Sequence, residues 1–232
     1  MKLKNICIIP ARGSSKEIRL KNLKKINNRS LLDITIEQAE KSKVFDRIFV
    51  STESKRIYNS IKNLDTPFMR PTTLSKDKVH VSKVILHVLK EFEKRGEKFD
   101  VVTMLMPTSP LRKITHINDA HKLFLKESAD SLVSLTKLNK LKTNLRFLEK
   151  DYKMKYLFKT ISRNVSRQSQ NELYGVNGSI FISTVRSFKK NKTFHIKNCI
   201  GFEMPFIDSI DINSEEDLYL ARLIYNSRKK ND

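Results

Sequence analysis

At 232 residues and 39% hydrophobic content, the chain has room for one large α/β domain, or one domain with a modest insertion. No stretch approaches the ~20 apolar residues that a membrane span needs. The formal charge of +21, from 46 Lys+Arg against 25 Asp+Glu, raises nucleic-acid binding as a function, but the basic residues are mostly lysines spread over many helix faces, without a nucleic-acid motif or interleaved aromatics. An anionic small-molecule substrate accounts for the charge as well.

The apolar run "NICIIP" (5–10) reads as a short buried strand. Its extension "ICIIPA" is too short for a signal-peptide core, so a cytoplasmic protein is expected. "SLLDITIEQAEKS" (30–42) carries apolar residues at helical spacing. "RIFVST" (47–52) is a strand, "SKRIYNSIKN" (54–63) a short helix, and "VHVSKVILHVLKEFEKRG" (79–96) a long helix stopped at Gly96. "DVVTMLMP" (100–107) reads as a strand and "THINDAHKLFLKES" (115–128) as a helix with Thr115 or Asn118 as its N-cap. Strands follow at "SLVSLTK" (131–137) and "GSIFIST" (178–184). The closing helix "SEEDLYLARLIYNSRKK" (214–230) has acids in its first turn and bases in its last, which suits the macrodipole. Cys7 and Cys199 lie far apart among aliphatic residues and read as buried, reduced thiols.

Alternating elements with near-continuous apolar strands predict an α/β fold with a mostly parallel sheet and helices on both faces. Residues 138–176 break the rhythm. They are basic and polar with scattered aromatics (Phe147, Tyr152, Tyr156, Phe158), and read as an insertion into the single domain 1–232, forming a lid or a subunit contact.

In such sheets ligands bind beyond the strands' C-terminal ends, and the polar clusters stand there. "IIPARGSSKEIRLKN" (8–22) matches neither the dinucleotide fingerprint nor a P-loop. Gly13 and two serines still allow backbone N–H groups to face an anion, with Arg12, Lys16 and Lys21 around it. "MPTSPLR" (106–112) sets two hydroxyls between prolines. "SRQSQNELYGVNGSIFI" (166–182) pairs Arg167 with Asn177-Gly178, read as a tight turn before a strand. In "IDSIDINSEEDL" (207–218), an extended 206–213 would project Asp211 and Asn213 to one face and Asp208 to the other, making Asp211 a candidate Mg²⁺ ligand. Ser214 and Asp217 serve the start of the last helix.

Taken in order, "IIPARGSSKEIRLKN", "STES", "RPTTLSKD", "MPTSPLR", "RQ…YGVNG" and "IDINSEEDL" resemble the acylneuraminate cytidylyltransferase family, the CMP-nonulosonate synthetases, from residue 6 to about 222. The resemblance implies a Rossmann-like nucleotidyltransferase fold and CTP as donor. It also implies Mg²⁺ as cofactor, a nine-carbon sialic-acid-like sugar acid as acceptor, and a homodimer in which the segment 138–176 reaches the partner; neither nucleic acid nor membrane is a partner. By position it implies Lys21, Arg12 and Asp211 as catalytic residues. Gly13, Ser15, Lys16, Asn22, Arg70 and Ser82 join Arg12 in nucleotide binding. Arg167, Gln168, Tyr174, Asn177, Thr108 and Ser109 fall at the sugar, and Asp211 and Asn213 at the metal. The alternatives are a CMP-Kdo synthetase-like enzyme and a catalytically weakened relative acting as a binding protein.

The chain departs from that pattern at Ser14, where a second glycine is usual, at Arg19 near the usual proline, at Met106 in place of glutamine and at Asn213 in place of aspartate. A positive φ at Ser14 would cost about 1 kcal/mol or more. Asp208 is the substitute metal ligand if the strand is twisted or bulged.

Overall fold

The computed structural model describes residues 3–15, 17–61, 64–138, 146–150, 152–157 and 172–229. Strand β1 (Asn5–Pro10) is followed by a 3-10 turn (Lys21–Leu23) and the small strands β2 (Lys25–Ile26) and β3 (Arg29–Ser30). Then come α1 (Leu31–Ser42), β4 (Arg47–Ser51), α2 (Lys55–Ser60), a 3-10 turn (Thr72–Ser75), α3 (Val81–Lys94), β5 (Val101–Leu105), α4 (Ile114–Lys126) and β6 (Ser131–Lys137). The hairpin strands β7 (Arg146–Leu148) and β8 (Met154–Tyr156) precede β9 (Tyr174–Thr184), α5 (Val185–Asn191), β10 (Cys199–Glu203), a 3-10 turn (Phe206–Asp208) and α6 (Glu215–Lys229).

Six strands form the main sheet in the order β10-β6-β9-β5-β1-β4. Only β9 runs antiparallel, against both β5 and β6. The expected mostly parallel, Rossmann-like sheet is therefore present, and period-two alternation divides its side chains between two cores. Cys7 and Ile9 of β1 join Leu32 and Ala39 of α1 and Ile117, Ala120 and Phe124 of α4. Ile6 and Ile8 face the other way, into Ile85, Val88 and Phe92 of α3 and Phe188 of α5. A third cluster seats α6, through Leu218 and Ala221, on Ile18, Leu111, Ile210 and Ile212.

Local sequence explains several ends. Ser30 and Asp33 form a reciprocal capping box at α1, worth about 1 kcal/mol. Asp217 accepts from the Asn213 and Ser214 N–H groups while Ser214 Oγ accepts from the Asp217 N–H, as expected for the start of α6. Gly96 ends α3 at φ 81°. Cys7 is buried, Cys199 is half-buried, and neither forms a disulfide. No helix among the described residues is long and apolar enough to cross a membrane.

Four expectations are corrected. Helix α4 begins one turn before Asn118: Lys113 is its N-cap residue, and His116 Nδ1 accepts the Lys113 N–H at 3.2 Å. Asn177-Gly178 is not a turn ahead of a strand but lies within β9, where Gly178 takes φ 70° opposite a register shift between Val133 and Leu135. An extended β9 absorbs the dipeptide because the positive φ makes a bulge. It also moves the end of the excursion from 176 back to 173. Finally, 206–213 is not extended throughout, since Phe206–Asp208 forms the 3-10 turn and buries Asp208.

Candidate active site

The parallel strands β1, β4 and β5 finish at one edge of the sheet, so the loops after Pro10, Ser51 and Leu105 converge there. A cavity of about 350 Å³ opens at this edge, lined on its polar side by Arg12, Lys21, Asn22, Arg70, Asp211 and Asn213. Leu74, Val79, Val81, Val84 and Met106 supply apolar lining.

The opening loop is anchored and then aimed. Ile18 is buried in the third core, and Leu20 takes the left-handed conformation at φ 54° and ψ 39°. A branched residue there costs on the order of 1 kcal/mol, and the bend delivers Lys21 and Asn22 to the site. Asn22, 7% exposed, donates its amide to the Arg12 carbonyl at 2.9 Å and closes the loop on itself. Lys21 Nζ donates to the Ile212 carbonyl at 3.0 Å and lies 3.5 Å from Asn213 Oδ1. Ser14 is absent from the residues with positive φ, so its replacement of glycine carries no backbone penalty. Glycine is required one place earlier: a Cβ on Gly13 would stand 2.6 Å from Ser54 Cβ.

Facing this loop, Arg12 pairs with Asp77 at 2.8 Å, and buried Arg70 pairs with Glu53 at 2.5 Å. Burial opposes the Glu53 charge, yet hydrogen bonds from Arg70 and from the Gly13 N–H hold its carboxyl below the usual range. The third side is the segment 211–213. Asn213 Nδ2 donates to Asp211 Oδ2 at 2.9 Å, and the Ile212 N–H donates to the Thr108 carbonyl at 2.8 Å, fixing the segment to the turn after β5. That turn is braced from below by Arg112, whose guanidinium is fully buried. It donates to Ser179 O at 2.9 Å and to Gln38 Oε1 at 3.0 Å. Burial lowers its pKa to about 10.

The structure thus brings Arg12, Ser15, Lys21, Asn22, Arg70, Thr108, Asp211 and Asn213 together around one cavity. Gly13 stands behind the loop, bonded to Glu53. Other residues expected at ligand are engaged elsewhere. Asn177 is buried, accepting from Ser134 Oγ at 2.6 Å and donating to Ser209 Oγ at 2.9 Å, so it stitches the bulge rather than facing the cavity. Ser109 is buried in the turn. Ser82 sits in the first turn of α3, with its hydroxyl 2.8 Å from His80 Nδ1. Tyr174 donates to Glu172 Oε2 at 2.9 Å, at the outer end of β9. Lys16, Arg167 and Gln168 lie outside the described residues. Asp208 is no substitute metal ligand, being buried and ion-paired with Arg228.

Among the described residues no three His, Cys, Asp or Glu side chains cluster as a metal cage. One carboxylate and one amide oxygen at a cavity floor suit Mg²⁺ nonetheless, because that ion is commonly held by one or two carboxylates with substrate phosphates completing its shell. Asp77 and Glu53 were not foreseen as wall residues. Each is the lone acid within its polar cluster, "RPTTLSKD" between α2 and α3 and "STES" at the end of β4, and that contrast is the available signal.

A cationic cavity at the C-terminal edge of a Rossmann-like sheet has the charge and position that suit an anionic ligand. Residues 6–230 match the family model described as cytidylyltransferase, and the chain belongs to that family. It is 34% identical, over its full length, to the N-acylneuraminate cytidylyltransferase of Escherichia coli, of which it covers 54%. The chain thus spans about half the length of that relative. It is 29% identical over 93% of its length to the CMP-N,N'-diacetyllegionaminic acid synthase of Legionella pneumophila, covering 94% of that protein. A solved CMP:2-keto-3-deoxy-manno-octonic acid synthetase complexed with CTP aligns with a TM-score of 0.73 at 12% identity, covering 97% of this chain and 99% of that one. At that identity the likeness bears on fold.

Proposed function

We propose that the protein activates a nonulosonic, sialic-acid-like sugar acid with CTP, giving the CMP-sugar and pyrophosphate. The observation that carries this reading is the convergence of Arg12, Lys21, Asn22, Arg70 and Asp211 on one cavity in a chain of the cytidylyltransferase family. Relatives named for neuraminate and legionaminate activation favour a nine-carbon acceptor over Kdo.

The reaction needs no covalent intermediate. The anomeric hydroxyl of the sugar acid attacks the α-phosphorus of CTP in line and pyrophosphate leaves, so catalysis is positioning plus neutralisation of phosphate charge. Arg12 holds the triphosphate with a forked contact in place of its bond to Asp77. Lys21 faces the α-phosphate and offsets charge that grows in the transition state. Asp211, with Asn213 beside it, would hold Mg²⁺, which supplies further charge neutralisation on the phosphate oxygens. The protein acts in the cytoplasm as a homodimer, with the hairpin β7–β8 reaching its partner. Met106 and Asn213 are the features that favour a weakened, binding-only relative.

Incubation with CTP, Mg²⁺ and sialic, legionaminic, pseudaminic acid or Kdo, with pyrophosphate measured, tests the reading. Release with a nonulosonic acid is expected. No release with any acceptor at high protein concentration rejects it, and release with Kdo alone replaces the acceptor.

A further inference from the structure

The end of β4 carries both walls of the cavity. The Ala11 N–H donates to the Ser51 carbonyl at 2.9 Å, holding the loop that follows β1. The Arg70 N–H donates to the Thr52 carbonyl at 2.8 Å, holding the opposite wall. Between them stands Glu53, whose side chain is 12% exposed. Its Oε1 accepts the Gly13 N–H at 2.8 Å, and its Oε2 accepts from Arg70 Nη2 at 2.5 Å. Both partners belong to surfaces that contact nucleotide in the reading above. Gly13 is pressed close to Ser54, so its N–H has little freedom to turn elsewhere. The Arg70 side chain is only 4% exposed, so solvent can do little to replace a lost carboxylate.

We propose that Glu53 is a positioning residue for the nucleotide: one carboxylate clamps the Gly13 loop to the Arg70 wall, and the cavity binds CTP tightly only while both bonds are made. The inference rests on the cytidylyl-transfer reading but assigns Glu53 a role beyond it. Glu53 touches neither substrate nor reacting atoms.

The sign of the effect separates this role from a simple charge effect. A carboxylate near a triphosphate repels it, so removing the charge alone would tighten CTP binding. Removing a clamp loosens it. Glu53→Gln is nearly isosteric but can accept only one of the two N–H groups, since its amide nitrogen is a donor. Glu53→Asp keeps the charge and is too short to span both partners.

CTP binding is measured by titration calorimetry on wild type and both variants, with KM for each substrate. Glu53→Gln is expected to raise the Kd and the KM for CTP ten-fold or more, leaving the KM for the sugar acid within two-fold of wild type. Glu53→Asp is expected to weaken CTP binding five-fold or more, and it carries the comparison alone should the amide variant not fold. Unchanged or tighter CTP binding, or an equal rise in both KM values, overturns the proposal. A wild type that binds no CTP overturns the cytidylyl-transfer reading and this inference with it; a wild type that binds beside variants that bind equally well overturns this inference alone.

Discussion

Lys21 Nζ donates to the backbone carbonyl of Ile212 at 3.0 Å, across 191 residues of sequence. The bond joins the cationic opening loop to the segment that carries Asp211, and it holds the ammonium where phosphate and carboxylate would meet. The Lys21 side chain is 12% exposed, so its charge acts with little screening by water.

Lys21→Ala and Asp211→Ala are each expected to lower turnover by ~100-fold or more, the scale of losing one preorganised electrostatic contact in a transition state. Pyrophosphate release at saturating CTP, with Mg²⁺ saturating as well, is the measurement. Turnover near wild type in either variant would remove that residue from the catalytic set.

Asn213 invites the opposite kind of change. Its amide donates to Asp211 Oδ2 at 2.9 Å, which occupies one of the acceptors a cation would use. Asn213→Asp replaces that donor with a second carboxylate. Mg²⁺ is then expected to bind about ten-fold more tightly, because carboxylate charge governs its affinity in such sites. A magnesium titration of turnover reports this as a lower half-saturating concentration. An unchanged titration would place the metal away from Asn213.

Most of this geometry was legible in the residue pattern, because a parallel sheet forces the loops after its strands to one edge and the cationic clusters followed strands. What escaped was set by tertiary context. Asn177-Gly178 has turn chemistry, yet β6 pairs with β9 on both sides of the dipeptide, at Tyr174–Val176 and Phe181–Ser183, and converts the positive φ into a bulge. Asn177 then pairs with Ser134 and Ser209, partners 43 and 32 residues away, which no local reading could anticipate. Asp208 looked free to hold metal until Arg228, on the last helix, took it. Edge strand β10 and helix α5 lack a strong periodic signal, and were missed for that reason.

Arg112 carries a stability prediction. Its buried guanidinium has carbonyl, hydroxyl and amide partners, Ser179 and Gln38, and braces the turn that supplies Thr108. Arg112→Met removes the donors and leaves the Ser179 carbonyl and Gln38 Oε1 without them. A loss of about 2–4 kcal/mol is expected in urea unfolding. Arg112→Lys retains a charge but reaches fewer acceptors and should fall between. Wild-type stability in Arg112→Met would mean that burial of the cation costs as much as its bonds return.

His121 predicts how stability changes with acid. It is buried against β5, with Nε2 3.1 Å from Thr103 Oγ1. Burial lowers its pKa from 6.5 to about 4. Above pH 6.5 the ring is neutral in both folded and unfolded chains. Between pH 6.5 and 4 only the unfolded chain takes up the proton, so stability falls as pH falls through that window. A shift of that size corresponds to about 3 kcal/mol by pH 4. His87 and His116, also lowered chiefly by burial, act in the same direction. Urea midpoints measured from pH 7 to 4 should trace this slope, and His121→Gln should flatten most of it. A slope unchanged in the variant would assign acid sensitivity to other groups.

The hairpin β7–β8 tests the proposed dimer. It forms a two-stranded sheet separate from the main one, and Leu148, Tyr152 and Met154 are 71%, 86% and 71% exposed. Such large apolar side chains on a short hairpin are little covered among the described residues, whereas a partner surface would cover them. Burying one contributes roughly 1.5–3 kcal/mol, so a charge at one position should weaken association by at least ~10-fold. Sedimentation of the wild type is expected to give a dimer at micromolar concentration, and Leu148→Glu a monomer under the same conditions. Because the hairpin stands apart from the three cores, the variant's thermal midpoint at monomeric concentrations should match that of dilute wild type. A wild type that sediments as a monomer at every concentration would reject the dimer. A Leu148→Glu variant that dimerises as the wild type does would move the interface to another surface.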